Sequence, residues 1–433
     1  IVSLREIAKD GGNAMGSRSL AATRFILGMS TGLAVAGCAG NGVPAVPPGA
    51  TVEGGAGLAG PARAQRPNAS QTLRVGRDGA GFATLFSFDG TDGAGSIASL
   101  VKIKDELYGT TDVGGTHGEG TVFKVSPAGA ESVLYSFDNG SDGQNPAGGL
   151  AYLKGTFYGT TQFGGTHGEG TVFKVTANGT ESIVYNFTGG ADGALPEASL
   201  VAVKGVLYGT TLEGGTNYVG TVFKVEPAGQ FSTLHAFGLP GDGAYPSAPL
   251  IESGHSLFGT TYRGGSSGMG SVFEISTSGA ESVLYSFEPG TDAANPQTPL
   301  VALKGTLYGT SFNGGANGAG AVFSVAASGK EAVLHSFGSG GDGKNPFGGL
   351  AYLDGTFYGT TGFGGTGNCG SLACGTIFSI TPAGAENVLY DFSGQADGEF
   401  PEAGLTVLGN ALYGTTSRGG SGSGGTMFEL SPG

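Results

Sequence analysis

Residues 107–125 read LYGTTDVGGTHGEGTVFKV, and the same phrase returns along the chain at a fixed interval of 50. Its tetrad, an aromatic residue followed by Gly-Thr-Thr or Gly-Thr-Ser, begins at Tyr108, Tyr158, Tyr208, Phe258, Tyr308 and Tyr358, then at Tyr413 after a five-residue insertion, which makes seven copies. Self-similarity at such a period marks solenoids, propellers or arrays. Turn signals cut one copy into four strands. Residues 148–154 form a short apolar strand, and Lys154-Gly155 turns tightly into 157–161. A Gly-rich loop, 162–170, leads to the alternating strand 171–175, and 177–179 turn into 181–187. Residues 188–196, which hold Asp192-Gly193, connect to the next copy.

Four short antiparallel strands in some fifty residues are the dimensions of one propeller blade. A helical repeat is excluded because no window carries a 3.6-residue period and each Gly costs about 1 kcal/mol in a helix. A β-solenoid would use shorter coils. The expected fold is therefore all-β, a seven-bladed β-propeller. The aromatic column Phe123, Phe173, Phe223, Phe273, Phe323, Phe378 and Phe428 is read as inter-blade core and not as a ligand-stacking platform.

The array ends sharpen this reading. Residues 72–88 resemble the third and fourth strands of a unit, whereas the last unit, 403–430, has three strands and lacks its fourth. Pairing 82–88 with 426–430 would complete the seventh blade and remove two open edges. Residues 72–75 are then a surplus strand-like piece without an assigned place, and closure needs no sequence beyond Gly433.

Composition agrees. Of 433 residues 89 are Gly, without a collagen period, and 39% are apolar, too many for a disordered tail. Residues 1–37 hold four basic and two acidic residues, leaving 16 basic against 32 acidic in the rest. Such a surface repels a nucleic-acid backbone.

The first segment reads as an address. Residues 1–14 precede a start-like Met15 and read as upstream, non-mature sequence. Residues 15–37 carry Arg18 and Arg24 before an apolar run too short to span a bilayer. The run ends Leu33-Ala34-Val35-Ala36-Gly37-Cys38, which resembles a bacterial lipobox and makes Cys38 the lipidation site. A plain secretory signal with an incidental Cys38 is the alternative. Residues 38–71, rich in Gly, Pro and Ala, read as a flexible tether to the repeat domain, 72–433. The expected setting is the outer membrane or cell surface, with the membrane contacted through the lipid, and the expected state is a monomer.

The repeated signature LYGTTxxGGxxxxGTVFKV, followed by LYSF and DGxxP over about residues 72–430, resembles the GloVer (Gloeobacter/Verrucomicrobia) repeats of exported bacterial "choice-of-anchor" proteins. The resemblance implies export and a variable anchor, here Cys38, and carries no activity. The Gly doublet after an aromatic strand is distantly similar to a kelch blade, although kelch's Trp is missing.

In a four-stranded blade the loop after the second strand and the connection to the next blade emerge on one face. That face collects Asp92, Asp142, Asp192, Asp242, Asp292, Asp342 and Asp397, all but one followed by Gly. Asp closing a turn before Gly needs no ligand. The same carboxylates could take up Ca²⁺, though one per loop falls short of a dedicated Ca²⁺ loop, so no cofactor is expected and Ca²⁺ is the candidate if one binds. Gly doublets such as Gly114-Gly115 and Gly164-Gly165 open no helix and are read as backbone conformation, not as a phosphate cradle. Two adjacent loops carry His117 with Glu119 and His167 with Glu169. They could bind Zn²⁺ if the side chains converge to about 2.0–2.2 Å from one point, although copying of neighbouring repeats accounts for the same identity. Tyr218, Arg263, Met269 and Arg418 are further departures on this face. Cys369 and Cys374, in the inserted loop 367–375, read as a local disulfide.

No G-x-S-x-G elbow follows a strand and precedes a helix. The functional reading is thus a binding or scaffolding module at the cell envelope, taking a glycan or protein ligand on its Gly-rich rim. The alternative is a hydrolase or lyase acting on extracellular polysaccharide through rim carboxylates.

Overall fold

The computed structural model describes residues 73–433 apart from 139, 371 and 372. The readings of residues 1–72 as leader, lipidated Cys38 and tether therefore lie outside the described residues. Seven sheets form a ring, a seven-bladed β-propeller. Blade 1 comprises Val101–Ile103, Glu106–Thr111, Thr121–Val125 and Glu131–Ser136, and blades 2 to 6 repeat that meander. First strands lie side by side around the axis, with Val101–Ile103 of blade 1 beside Thr406–Leu408 of blade 7.

The repeated residues acquire specific tasks. In the third strand Thr121, Val122, Phe123 and Val125 are all buried, because packed blades cover both faces of each sheet and blur the polar–apolar alternation of a half-exposed strand. Phe123 lies across from Gly109. A Cβ at Gly109 would come 2.6 Å from the Phe123 ring, so the tetrad's Gly is what makes room for it. Each such Phe also meets the last Phe of the preceding blade edge to face. The seven pairs run from Phe88–Phe123 at 5.1 Å to Phe392–Phe428 at 5.3 Å between ring centroids, a geometry that aromatic quadrupoles favour.

The two hydroxyls of the tetrad work in different directions. The first donates to a carbonyl just ahead of the next blade's first strand: Thr110 to Gly148, Thr160 to Ala198, Thr210 to Ala248, Thr260 to Thr298, Thr310 to Gly348, Thr360 to Ala403 and Thr415 to Ser96. The second pins its own blade, as Thr111 Oγ1 donates to the Val113 carbonyl at 3.1 Å and lies 2.8 Å from Thr121 Oγ1.

Blade 7 is closed by the N-terminal part of the domain. Gly81–Ser87 pairs with Thr426–Ser431 as its fourth strand. The register matches that of a covalently continuous blade. In blade 1 Phe123 faces Val133 and Val122 faces Tyr135, passing over Leu134. In blade 7 Phe428 faces Thr84 and Met427 faces Phe86, passing over Leu85. The surplus piece is a fifth, outermost strand, Leu73–Val75, paired with Gly81–Ser87. A 3-10 turn, Arg77–Gly79, follows it, and Arg77 reaches Asp391 of blade 6 at 2.6 Å. Among the described residues no helix is long and apolar enough to cross a membrane.

Candidate functional site

The connection into each blade pairs with that blade's Gly-doublet loop. Short ladders join Gly243–Ala244 to Arg263–Gly264, Ala293–Ala294 to Asn313–Gly314 and Gly343–Lys344 to Phe363–Gly364, and single bridges such as Gln144 to Phe163 do so elsewhere. The Gly-rich loops and the Asp connections therefore share one face. Gly114 and Gly115 both take φ near +82°, and a Cβ on Gly114 would strike the backbone of Gly90, Gly93 and Ala94. The doublet is thus a backbone requirement.

Seven junction residues tie this face together. Gly95, Asn145, Leu195, Tyr245, Asn295, Asn345 and Phe400 all have φ between 53° and 68°. Each donates its N–H to a loop carbonyl of the preceding blade, as Leu195 does to Glu169, and accepts from the following loop, as Leu195 does from Leu212. Asn tolerates this left-handed conformation, whereas Leu, Tyr and Phe are strained in it.

The rim aspartates close their own connections. Asp142 Oδ2 accepts from Tyr135 Oη at 2.7 Å and from the Asp138 N–H at 3.1 Å. The arrangement recurs for Tyr185 with Asp192, Tyr285 with Asp292 and Tyr390 with Asp397. Asp92, whose preceding strand offers Phe86 at the Tyr position, accepts from the Asp89 N–H. In blades 3 and 5 a histidine takes the Tyr position: His235 Nε2 and His335 Nε2 each lie 3.0 Å from Oδ2 of Asp242 and Asp342. The carboxylates thus serve turns and outer strands.

A glutamate from the next blade's fourth strand completes most of these units. Burial first, then the charges of Asp142 and Asp138, raise Glu181 to about 7. Burial and the charge of Asp292 likewise bring Glu331 to about 7. Tyr185 is pushed up to about 12 by burial and by the charge and hydrogen bond of Asp192. Burial alone would lower His235, but the hydrogen bond and charge of Asp242, helped by Glu281, outweigh it and raise the imidazole. At two interfaces Phe replaces the glutamate and stacks on the tyrosine, Phe231 on Tyr185 at 4.0 Å and Phe82 on Tyr390 at 3.8 Å.

The candidate zinc residues do not assemble in this way. His117 and His167 are exposed, each beside its own neighbouring hydroxyl, Thr116 or Thr166. The groups of three ligand types that approach one another among the described residues are His235, Asp242 and Glu281, and His335, Asp342 and Glu386. Cys369 and Cys374 form a disulfide, with Cα atoms 5.1 Å apart.

Where the copies differ on the connection face, aromatic residues gather over blades 5 to 7. Phe312 meets Phe347 at 4.8 Å, Phe347 meets Phe363 at 6.1 Å, and Phe363 meets Phe400 at 5.5 Å. The exposed Arg418 lies over Phe400 at 5.6 Å. Phe312, Phe347 and Phe363 are half-buried, so part of each ring is open to contact. Earlier copies carry Leu212 and Tyr262 at the Phe312 position and Phe163 at the Phe363 position, but Ala147, Glu197, Ser247 and Gln297 stand where Phe347 joins the rings, and Gln162 instead donates to Glu197. No signal of a single copy reveals this arc, because its members belong to different copies.

Comparison with known proteins follows the repeats. The Gloeobacter/Verrucomicrobia repeat matches residues 65–218 and 190–373. Among curated proteins none matches. Of the solved structures, a streptogramin B lyase aligns with a TM-score of 0.52 at 13% identity, over 81% of this chain and 97% of that one. A gluconolactonase from Xanthomonas campestris aligns with a TM-score of 0.41 at 11% identity, over 86% and 98%. The BP39L lectin from Burkholderia pseudomallei gives 0.40 at 13%, over 66% and 77%. At these identities the likeness concerns the fold alone.

Proposed function

We propose that this chain, which belongs to the Gloeobacter/Verrucomicrobia repeat family, is a binding module of the bacterial cell envelope that holds its ligand on the connection-bearing face. One observation carries the reading. On a scaffold whose copies otherwise repeat, the partly exposed rings of Phe312, Phe347 and Phe363 form an arc that continues onto the buried ring of Phe400, with the exposed Arg418 as a cation at its end. Such an arc offers apolar area at small entropic cost and suits the C–H face of a sugar or an aromatic side chain. Export and attachment through a lipid on Cys38 fit a surface receptor and are part of the proposal. Polysaccharide cleavage by rim carboxylates would need those carboxylates to leave the Tyr and N–H partners that hold them.

A glycan array, followed by calorimetry on the best hit, tests the reading. Saturable binding without turnover, weakened about tenfold by Phe347→Ala and by Arg418→Ala, is expected. Binding indifferent to both changes would overturn the placement. Product formation lost in Asp142→Asn with Asp192→Asn would favour the enzyme. The anchor is tested separately, since Cys38→Ala should release the protein from membranes, and unchanged partitioning would refute it.

A further inference from the structure

Six of the seven interfaces between outer strands form a natural series built on one frame. Interfaces 1/2 and 4/5 carry Tyr, Asp and Glu, namely Tyr135, Asp142 and Glu181, and Tyr285, Asp292 and Glu331. Interfaces 2/3 and 6/7 carry Tyr and Asp with Phe in place of the glutamate. Interfaces 3/4 and 5/6 carry His, Asp and Glu. Histidine thus stands at the Tyr position twice, and both times a carboxylate and not a ring comes from the neighbouring blade.

This change replaces a phenol, which only bridges, with a nitrogen lone pair that can bind a metal. In each unit the imidazole nitrogen and the two carboxylate oxygens lie within 4.8 Å of one another. The parts are held in place. Asp242 Oδ2 accepts from the Gly238 N–H and Oδ1 from the Gly243 N–H, which fixes the carboxylate plane. The side chains are mostly withdrawn from water, at 17% and 7% exposure for His235 and Asp242, and 21% and 9% for His335 and Asp342. Glu281 Oε1 and Glu386 Oε1 are buried without a hydrogen-bond partner, as are the equivalent oxygens of Glu181 and Glu331 in the Tyr units. A buried carboxylate oxygen without a partner is costly; in the Tyr units a proton meets that cost, and where His adds a nitrogen ligand a cation can do so instead.

We infer that His235, Asp242 and Glu281, and independently His335, Asp342 and Glu386, are two Zn²⁺ sites that clip the outer strand of one blade to that of the next. One imidazole and two carboxylates suit Zn²⁺ among common divalent ions, and three protein ligands leave a fourth position for water. The two sites differ in one respect. Arg77, held on Asp391, lies close enough to Glu386 to act on its charge, whereas no such cation acts on Glu281. The blade 3/4 site is therefore the tighter of the two.

Zinc content after equilibrium dialysis of the purified chain, read by elemental mass spectrometry alongside thermal unfolding, tests this. Two Zn²⁺ per chain are expected, with a melting point raised by Zn²⁺ and returned by chelator. His235→Tyr installs the residue that four sibling copies use at that position, so the frame is kept, and it should leave one Zn²⁺. With His335→Tyr added, none should remain and the melting point should ignore Zn²⁺. The pair Glu281→Gln and Glu386→Gln, which changes neither size nor fold, should weaken binding at least tenfold. Equal zinc uptake by the parent and the double His variant would overturn the assignment, as would a parent that takes up no stoichiometric zinc.

Discussion

Thr415 Oγ1 donates to the carbonyl oxygen of Ser96 at 3.0 Å although the two stand 319 positions apart in the chain. It is the one of the seven Thr contacts that crosses from blade 7 to blade 1, so the closure is locked by a Thr hydroxyl as every other interface is, with the acceptor two residues earlier than at the other six. Thr415→Val should leave the buried Ser96 acceptor unpaired and cost about 1 kcal/mol of stability in urea unfolding.

Closure also rests on Phe82, which is fully buried and lies between Tyr390 of blade 6 and Phe428 of blade 7. Phe82→Ala should cost about 3–5 kcal/mol. Removal of residues 73–87 should abolish cooperative unfolding of the whole ring by opening a strand edge. A truncated chain that melts like the parent would show that blade 7 holds without its N-terminal strand.

Leu195 occupies a left-handed conformation at φ 55°, where Asn145 occupies the equivalent junction and donates Nδ2 to the Asp112 carbonyl at 3.0 Å. Leu195→Asn should relieve the steric cost and gain the equivalent bond to the Gln162 carbonyl. A rise of about 1 kcal/mol is expected, visible as a higher melting temperature. Asn345→Leu should move stability in the opposite direction.

Gly259 shows how closely the tetrad is fitted. A Cβ there would lie 2.5 Å from the Phe273 ring and 2.8 Å from Leu250 Cδ2. Gly259→Ala should therefore destabilise by about 1–3 kcal/mol through overcrowding, even though Ala is otherwise the smaller disturbance in a strand. Chemical denaturation of the single variant measures this.

Glu181 and Glu331 hold their protons up to about pH 7 when folded, against an ordinary value of 4.5. The native state then binds more protons than the unfolded chain between those limits, so their contribution is complete below about pH 4.5 and is lost as pH rises through about 7. Melting temperature should decline over that window. Glu181→Gln with Glu331→Gln should flatten the decline and leave the variant more stable than the parent above pH 7.

The fold was legible because each copy repeats the residues that build it: the aromatic of the third strand, the Gly that admits it and the Thr that reaches the next blade all recur on one period. Even the closure could be read, since an unmatched fourth strand, Gly81–Ser87, precedes the first copy and the last copy lacks one. The outer-strand units were less accessible. His117 and His167 attracted a metal reading because they sit together in adjacent loops, yet exposed loop tips hold them apart from a third ligand. His235 and His335 lie in a strand column otherwise filled by Tyr or Phe, each seven residues before an Asp. Comparing copies column by column exposes that substitution. The partner glutamate, by contrast, comes from the next blade, and only the curvature of the ring brings it near. The aromatic arc was hidden for a related reason, since its members derive from unlike positions in three copies.

The matched register of Gly81–Ser87 on Thr426–Ser431 means that the strand ladder of the closing blade is that of a continuous one. A circular permutant cut in another connection and spliced across the present termini should reach the same closed state. By the same reasoning, recombination between copies that adds or deletes one whole period would leave the two termini still complementary. Ring size in such chains is then governed by the wedge angle between packed sheets, and the ends alone would not prevent a six- or eight-sector relative from closing.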